Sequence, residues 1–222
     1  MSPSAAKSPL SPPAPPTSPA DSTSPASPAT PTRLAIFASG SGTNFVNLVA
    51  ATRDGRLFGC EVVVLFSDQP TARCLERAAE LGIPAFTLER AGYPNRRTFE
   101  TAIISRLSSY APDLIALAGY MRILGSTLLT AYPGRIVNIH PALLPAFPGA
   151  HAIQDAYLAR VPETGVTVHF VDAGIDSGPI ILQQSLAVDP DWTLEELTAN
   201  VHAVEYQLYP AALSKVINGE SL

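Results

Sequence analysis

From Arg33 onward, short apolar runs alternate with segments whose apolar residues recur at spacings of three and four, and this alternation restricts the fold more than any other feature. A short apolar run bounded by turn residues reads as a buried strand; a 3.6-residue period reads as a helix with one face in the core. Residues 34–38, 62–66, 85–88, 114–118, 136–140, 166–171 and 180–184 are expected strands, and residues 43–52, 71–81, 96–109 and 193–217 expected helices. Strands and helices taken in turn make βαβ units, because parallel neighbours need a crossover. The expected architecture is α/β: a Rossmann-like, mostly parallel twisted sheet of about seven strands with helices on both faces.

Residues 1–32 are of another kind. They are almost wholly Pro, Ser, Ala and Thr, with Lys7 and Asp21 the only charged side chains. Such a segment cannot bury enough apolar surface to offset the entropy of ordering, so a disordered tail is expected ahead of one catalytic domain at 33–222. A transit peptide is the alternative, but the tail has no Arg and its prolines oppose an amphipathic helix. The remainder, with 46% hydrophobic side chains over the 222-residue chain, is long enough for a full core. A net charge of −5 without a basic cluster argues against nucleic acid or an acidic membrane surface as partner. No apolar run is long enough to span a bilayer, and Cys60 and Cys74 lack the spacing of a disulfide framework or metal site, so a reduced, cytoplasmic setting is expected.

The first expected strand runs into Ser39-Gly40-Ser41-Gly42-Thr43-Asn44. Glycines let the backbone approach an anion, and the following helix offers unpaired amides and its positive dipole end. Phe45 stands where a dinucleotide fingerprint has its third glycine, and no lysine follows as in a P-loop. Taken alone, the loop fits a capped strand-to-helix turn as well as a phosphate cradle.

A second site carries more chemistry. In the strand ending Asn138-Ile139-His140-Pro141, residues two apart point to one face, so Asn138 and His140 project side by side at the carboxyl end, where open α/β sheets bind ligands. Gly174-Ile175-Asp176-Ser177-Gly178-Pro179 adds a carboxylate. Singly, Asn138 reads as a turn former, His140 as a hydrogen-bonded core histidine and Asp176 as a turn residue; together they put a carboxamide, an imidazole and a carboxylate within reach of one catalytic pocket.

These motifs, with Ala118-Gly119-Tyr120-Met121-Arg122-Ile123-Leu124, Ala142-Leu143-Leu144-Pro145-Ala146-Phe147-Pro148-Gly149 and Thr167-Val168-His169-Phe170-Val171, resemble the phosphoribosylglycinamide formyltransferases over residues 34–213. That family moves a formyl group from 10-formyltetrahydrofolate, a cosubstrate and not a bound cofactor, to glycinamide ribonucleotide (GAR). The resemblance implies Asn138, His140 and Asp176 as catalytic residues, with His169 in support. It implies Gly42, Thr43 and Asn44 at the GAR phosphate, and Glu205, with His202 on the same expected helix, at the rest of GAR. For the folate it implies Met121, Arg122, Ile123 and Leu124 along the pterin, the loop Asp172, Ala173, Gly174 and Ile175 closing over it, and Arg96 or its neighbour Arg97 at the acidic tail. Ala142 departs from the serine usual after His-Pro, a loss the loop is expected to tolerate. The segment between His140 and Gly165, with Pro141, Pro145, Pro148 and Gly149, is expected to resist regular structure and to act as a mobile loop.

No metal is expected, since His151 and His202 make no ligand constellation with the other histidines. The expected partners are small molecules, on a monomer or homodimer. Alternatives are a formyltetrahydrofolate deformylase, which delivers water with the same trio but has a folded domain ahead of the core, and a non-catalytic nucleotide-binding module. Methionyl-tRNA formyltransferase carries a further carboxyl-terminal domain for RNA, which nothing after residue 217 resembles.

Overall fold

The computed structural model describes Met1 and residues 30–220. The strands are β1 (Thr32–Phe37), β2 (Cys60–Ser67), β3 (Ala85–Thr87), β4 (Leu114–Leu117), β5 (Ile136–His140), β6 (Glu163–Phe170) and β7 (Ile180–Ala187), and they form one seven-stranded sheet in the order β3-β2-β1-β4-β5-β6-β7. Most of the expected tail lies outside the described residues, although its last residue, Thr32, already pairs in β1.

The interior strand β1 shows why the sequence takes this form. Leu34, Ala35, Ile36 and Phe37 are all 0% exposed. Alternate residues serve opposite layers: Leu34 and Ile36 join one hydrophobic cluster, Ala35 and Phe37 the other. A strand covered on both faces must be apolar throughout, hence an unbroken run in place of alternation. One layer is closed by α1 (Thr43–Asp54), α2 (Arg73–Leu81), α5 (Ala152–Leu158) and α6 (Leu194–Ile217), the other by α3 (Arg96–Leu107) and α4 (Ser126–Ala131). In the second layer Phe37 meets Phe66 edge-on at 4.9 Å and Tyr120 at 5.5 Å between ring centroids. Burying each such ring stabilises the fold by roughly 2 kcal/mol.

The long helix α6 begins with a capping box, Thr193 and Glu196 each accepting from the other's backbone amide. Its fully buried Tyr209 reaches the sheet, where the hydroxyl donates between the carbonyl oxygens of Leu117 (3.0 Å) and Val137 (3.1 Å), bracing β4 against β5.

Strands β3 to β5 pair in parallel, as expected, but β6 runs antiparallel to β5 and β7 antiparallel to β6. The connection 171–179 between β6 and β7 contains no helix and is too short for a crossover. The segment after His140 also corrects the expectation of irregularity: it contains α5, and β6 starts at Glu163. Helices α4 and α5, of 6 and 7 residues, are too short for a periodic pattern to reveal.

Candidate active site

The carboxyl ends of β1, β4 and β5 open onto a cleft of about 580 Å³. In β5, Asn138 and His140 share a face, and the β6–β7 connection folds back to bring Asp176 against both. Asn138 Nδ2 lies 3.4 Å from Asp176 Oδ1, and His140 Nδ1 lies 3.5 Å from Asp176 Oδ2. His169, paired with Asn138 across the β5–β6 ladder, enters the same cluster: its Nε2 is 3.2 Å from Asn138 Nδ2 and 3.6 Å from Asp176 Oδ1. The Nδ1–H of His169 donates to the Phe170 carbonyl at 2.8 Å. Nε2 therefore accepts from Asn138 when the ring is neutral and donates to Asp176 when it is protonated.

The loop after β5 completes the cluster. Its first half is clamped by Thr167, whose hydroxyl donates to Ala142 O (2.7 Å) and accepts from Leu144 N (3.1 Å), and by Gln183, which donates to Leu144 O (3.1 Å). Its second half closes on the catalytic candidates, with Phe147 O accepting from His140 Nε2 at 2.8 Å and Gly149 N donating to Asp176 Oδ2 at 2.9 Å. Nε2 thus fixes the ring's orientation and Nδ1 is left turned to Asp176, at a distance too long for a full hydrogen bond. A hydrogen bond from His169 above all, then the Gly149 amide and the charges of His140 and His169, hold the Asp176 carboxyl below its ordinary 3.8 against the upward pull of burial. Asp176 sits at φ 49°, a left-handed conformation that Asp tolerates better than most residues.

On one flank of the cleft stands the amino end of α1. Gly42 precedes it at φ 72°, and a Cβ there would lie 2.6 Å from that of Cys74, so both backbone and space demand glycine. No acidic residue occupies the first turn of α1, which leaves its amides and dipole open to an anion. Asn44 Nδ2 donates to Glu205 Oε2 on α6 at 2.8 Å, and these residues are 7% and 5% exposed. Burial pushes the Glu205 carboxyl up, against the lowering effects of the Asn44 bond and the His202 charge. His202 lines the cleft beside it.

On the other flank lies the strip Met121, Arg122, Ile123 and Leu124, with Asp172, Gly174 and Ile175 facing the same space. Met121, Ile123 and Ile175 are 62%, 55% and 59% exposed, an apolar wall open for a flat ring. Of the expected folate residues, Arg96 and Ala173 are not among those lining the cleft. Arg96 is exposed at the start of α3, its side chain packed over Gly125, the residue after Leu124. His169 touches the cluster directly, a position its place on a strand face did not disclose. The roles of the Phe147 carbonyl and the Gly149 amide were also hidden, since they depend on a loop path that no residue type signals. Among the described residues no group of His, Cys, Asp or Glu is arranged to hold a metal, and no helix is long and apolar enough to cross a membrane.

With this geometry in view, the comparisons with known proteins are specific. The family model described as formyl transferase matches residues 32–213. A phosphoribosylglycinamide formyltransferase of Bacillus subtilis (strain 168) is 44% identical over 185 residues, covering 83% of this chain and 94% of its own length. The trifunctional purine biosynthetic protein adenosine-3 of Drosophila melanogaster is 38% identical over 86% of this chain, which corresponds to 14% of that larger protein. The crystal structure of phosphoribosylglycinamide formyltransferase from Bacillus halodurans superposes with a TM-score of 0.81 at 49% identity, over 84% of this chain and 95% of that one. The chain belongs to the formyl transferase family, and within it groups with the phosphoribosylglycinamide formyltransferases.

Proposed function

We propose that this protein transfers the formyl group of 10-formyltetrahydrofolate to the glycinamide amine of GAR, giving formyl-GAR and tetrahydrofolate. The observation that carries this reading is the meeting of Asn138, His140 and Asp176 in one cleft, between an anion-accepting helix terminus and an exposed apolar strip. The GAR phosphate sits at Gly42, Thr43 and Asn44, and Glu205 accepts from the ribose hydroxyls with His202 beside it. The pterin lies along Met121 to Leu124 under the loop 172–176, and the acidic tail reaches out toward Arg96.

The amine nitrogen bonds to the formyl carbon, and the former carbonyl oxygen becomes an anion. With Nε2–H donating to Phe147 O, His140 carries an Nδ1–H only as the imidazolium, and that N–H together with Asn138 Nδ2–H supplies the donors to the oxyanion; each such donor contributes roughly 3 kcal/mol to the barrier difference. Asp176 balances the positive charge on the imidazole and, directly or through water, relays the amine proton to the folate nitrogen as the carbon–nitrogen bond breaks. No covalent intermediate on the protein is required. The folate is a cosubstrate that leaves as product, and the protein works in the cytoplasm as a monomer or homodimer; mass in solution distinguishes the two.

The deciding assay supplies both substrates and follows deformylated folate. Its appearance only when GAR is present supports the reading. Release of formate without GAR would assign the cleft to deformylation.

A further inference from the structure

The strip that faces the pterin is poorly anchored by its own side chains. Met121 and Ile123 point into the cleft, more than half exposed, and only the flanking Tyr120 and Leu124, each 8% exposed, are packed in the core. What fixes the backbone between them is polar, and its hub, Asp68, is not among the residues lining the cleft. The Met121 amide donates to Ser39 Oγ at 3.1 Å, and that hydroxyl donates to Asp68 Oδ1 at 2.6 Å. The other carboxylate oxygen of Asp68 accepts from Arg122 Nε and, at 3.0 Å, from Gln69 Nε2. Asp68 follows β2 and is 3% exposed, so it reaches across the loop of β1 to the loop of β4, in the order in which those strands lie side by side.

The far end of the strip has a matching post. Glu100 on α3, also 3% exposed, accepts from the amides of Gly125 and Leu128. Gly125 has an ordinary φ of −96°, but a Cβ there would fall 2.6 Å from Arg96 Cδ and 2.8 Å from Glu100 Oε1. A side chain there would displace the buried Glu100 carboxylate from these amides.

We propose that Asp68 is a positioning residue for the folate, holding the Met121–Arg122 end of the strip against Ser39 while Glu100 holds the Gly125 end. This rests on the strip being the pterin subsite of the proposed reaction. The Nε edge of the Arg122 guanidinium is thereby committed to Asp68. The GAR cradle has separate supports, the Cys74 amide on Gly40 O at 3.1 Å and the Asn44–Glu205 bond. Ser39 also opens the glycine loop, but Gly42 to Asn44 keep these supports, so loss of Asp68 acts chiefly on the folate.

The test is Asp68→Asn, of the same shape but uncharged: its amide oxygen can accept from Arg122 and its amide nitrogen can donate to Ser39 Oγ, so the variant removes the charge from both hydrogen bonds and reverses the one to Ser39. Hydrogen bonds to charged groups are the strong ones, so the KM for 10-formyltetrahydrofolate rises by about tenfold. The KM for GAR stays within about twofold and turnover within about threefold, since the reacting groups are untouched. Asp68→Ala, which satisfies neither partner, raises the folate KM further, and Asn partly rescues Ala. An equal rise in both KM values, a fall in turnover alone, or an unchanged folate KM in a variant with wild-type Tm overturns the proposal. Should Asp68→Asn fail to fold, Ser39→Ala carries the same test: a rise of about fivefold in the folate KM supports it, and no rise overturns it. If the wild type transfers no formyl group, the functional reading fails by itself. Titration of wild type and Asp68→Asn with tetrahydrofolate alone then still decides whether Asp68 holds the strip.

Discussion

Replacing Asn138 separates the proposed chemistry from every structural role of that side chain. The carboxamide is partly buried, and its nearest partners are His169 Nε2 at 3.2 Å and Asp176 Oδ1 at 3.4 Å, both at or beyond the edge of good hydrogen-bond geometry. Asn138→Ala leaves Asp176 its shorter bond from Gly149 and leaves the core residues Ile136, Val137 and Ile139 in place. The fold is therefore retained, and the loss falls on the transition state: one missing donor to the oxyanion lowers kcat by about 10²- to 10³-fold, or roughly 3 to 4 kcal/mol. Asn138→Asp is worse. It sets a second carboxylate some 3.4 Å from Asp176, judged by the present Nδ2–Oδ1 distance. At an effective dielectric of about 20, two charges so close repel by roughly 4 to 5 kcal/mol, and the developing oxyanion meets a further anion. Turnover is measured by following deformylated folate at saturating GAR, with GAR affinity titrated separately. The expected order of kcat is Asn far above Ala, and Ala above Asp, with GAR affinity nearly constant. An Asn138→Ala variant that keeps kcat within about tenfold and loses only affinity would refute oxyanion stabilisation by this residue.

Because the folded Asp176 carboxyl is held below its ordinary 3.8, it contributes stability that is present above that unfolded value and disappears as pH falls through the depressed folded value. Asp176→Asn is expected to flatten the fall of Tm on acidification below about pH 4, and parallel curves for the two proteins would contradict this. Tyr209→Phe leaves two buried backbone carbonyls sharing no donor and is expected to cost about 1 to 3 kcal/mol by urea denaturation, with little change in KM. Gly42→Ala must adopt φ 72° and push aside Cys74, so we expect destabilisation of more than about 1 kcal/mol together with a raised KM for GAR; a stable variant with normal GAR binding would show that the turn is not the cradle.

Much of this was legible in the chain because local rules act where the core is simple. β5 was placed at Ile136–His140 from its apolar run, and the period of a strand sufficed to put Asn138 and His140 on one face. The glycine loop could be located, though not told from a plain cap, because an anion site depends on open amides and not on residue types alone. The antiparallel edge was not legible: the residues of β6 and β7 are strand formers in either direction, the short connection 171–179 sets only β7 against β6, and the longer connection 141–162 with its helix leaves the direction of β6 against β5 open. Nor were Asp68 and Glu100, since an acid at a loop or on a helix looks the same in sequence whether solvated or buried against backbone amides. Arg96, which the resemblance puts at the folate's acidic tail, lies outside the cleft lining and beside Gly125, a placement no local pattern discloses.

The loop after β5 is fastened unevenly. Thr167 and Gln183 tie down its first half, whereas Phe147 and Gly149 fasten its second half to the imidazole and the carboxylate on which the proposed reaction depends. Displacing that second half frees the imidazole from its orienting carbonyl and takes from the acid its shortest hydrogen bond. A cleft whose loop is displaced is thus a disarmed one, and formyl transfer to water, which would yield formate, is disfavoured in that state.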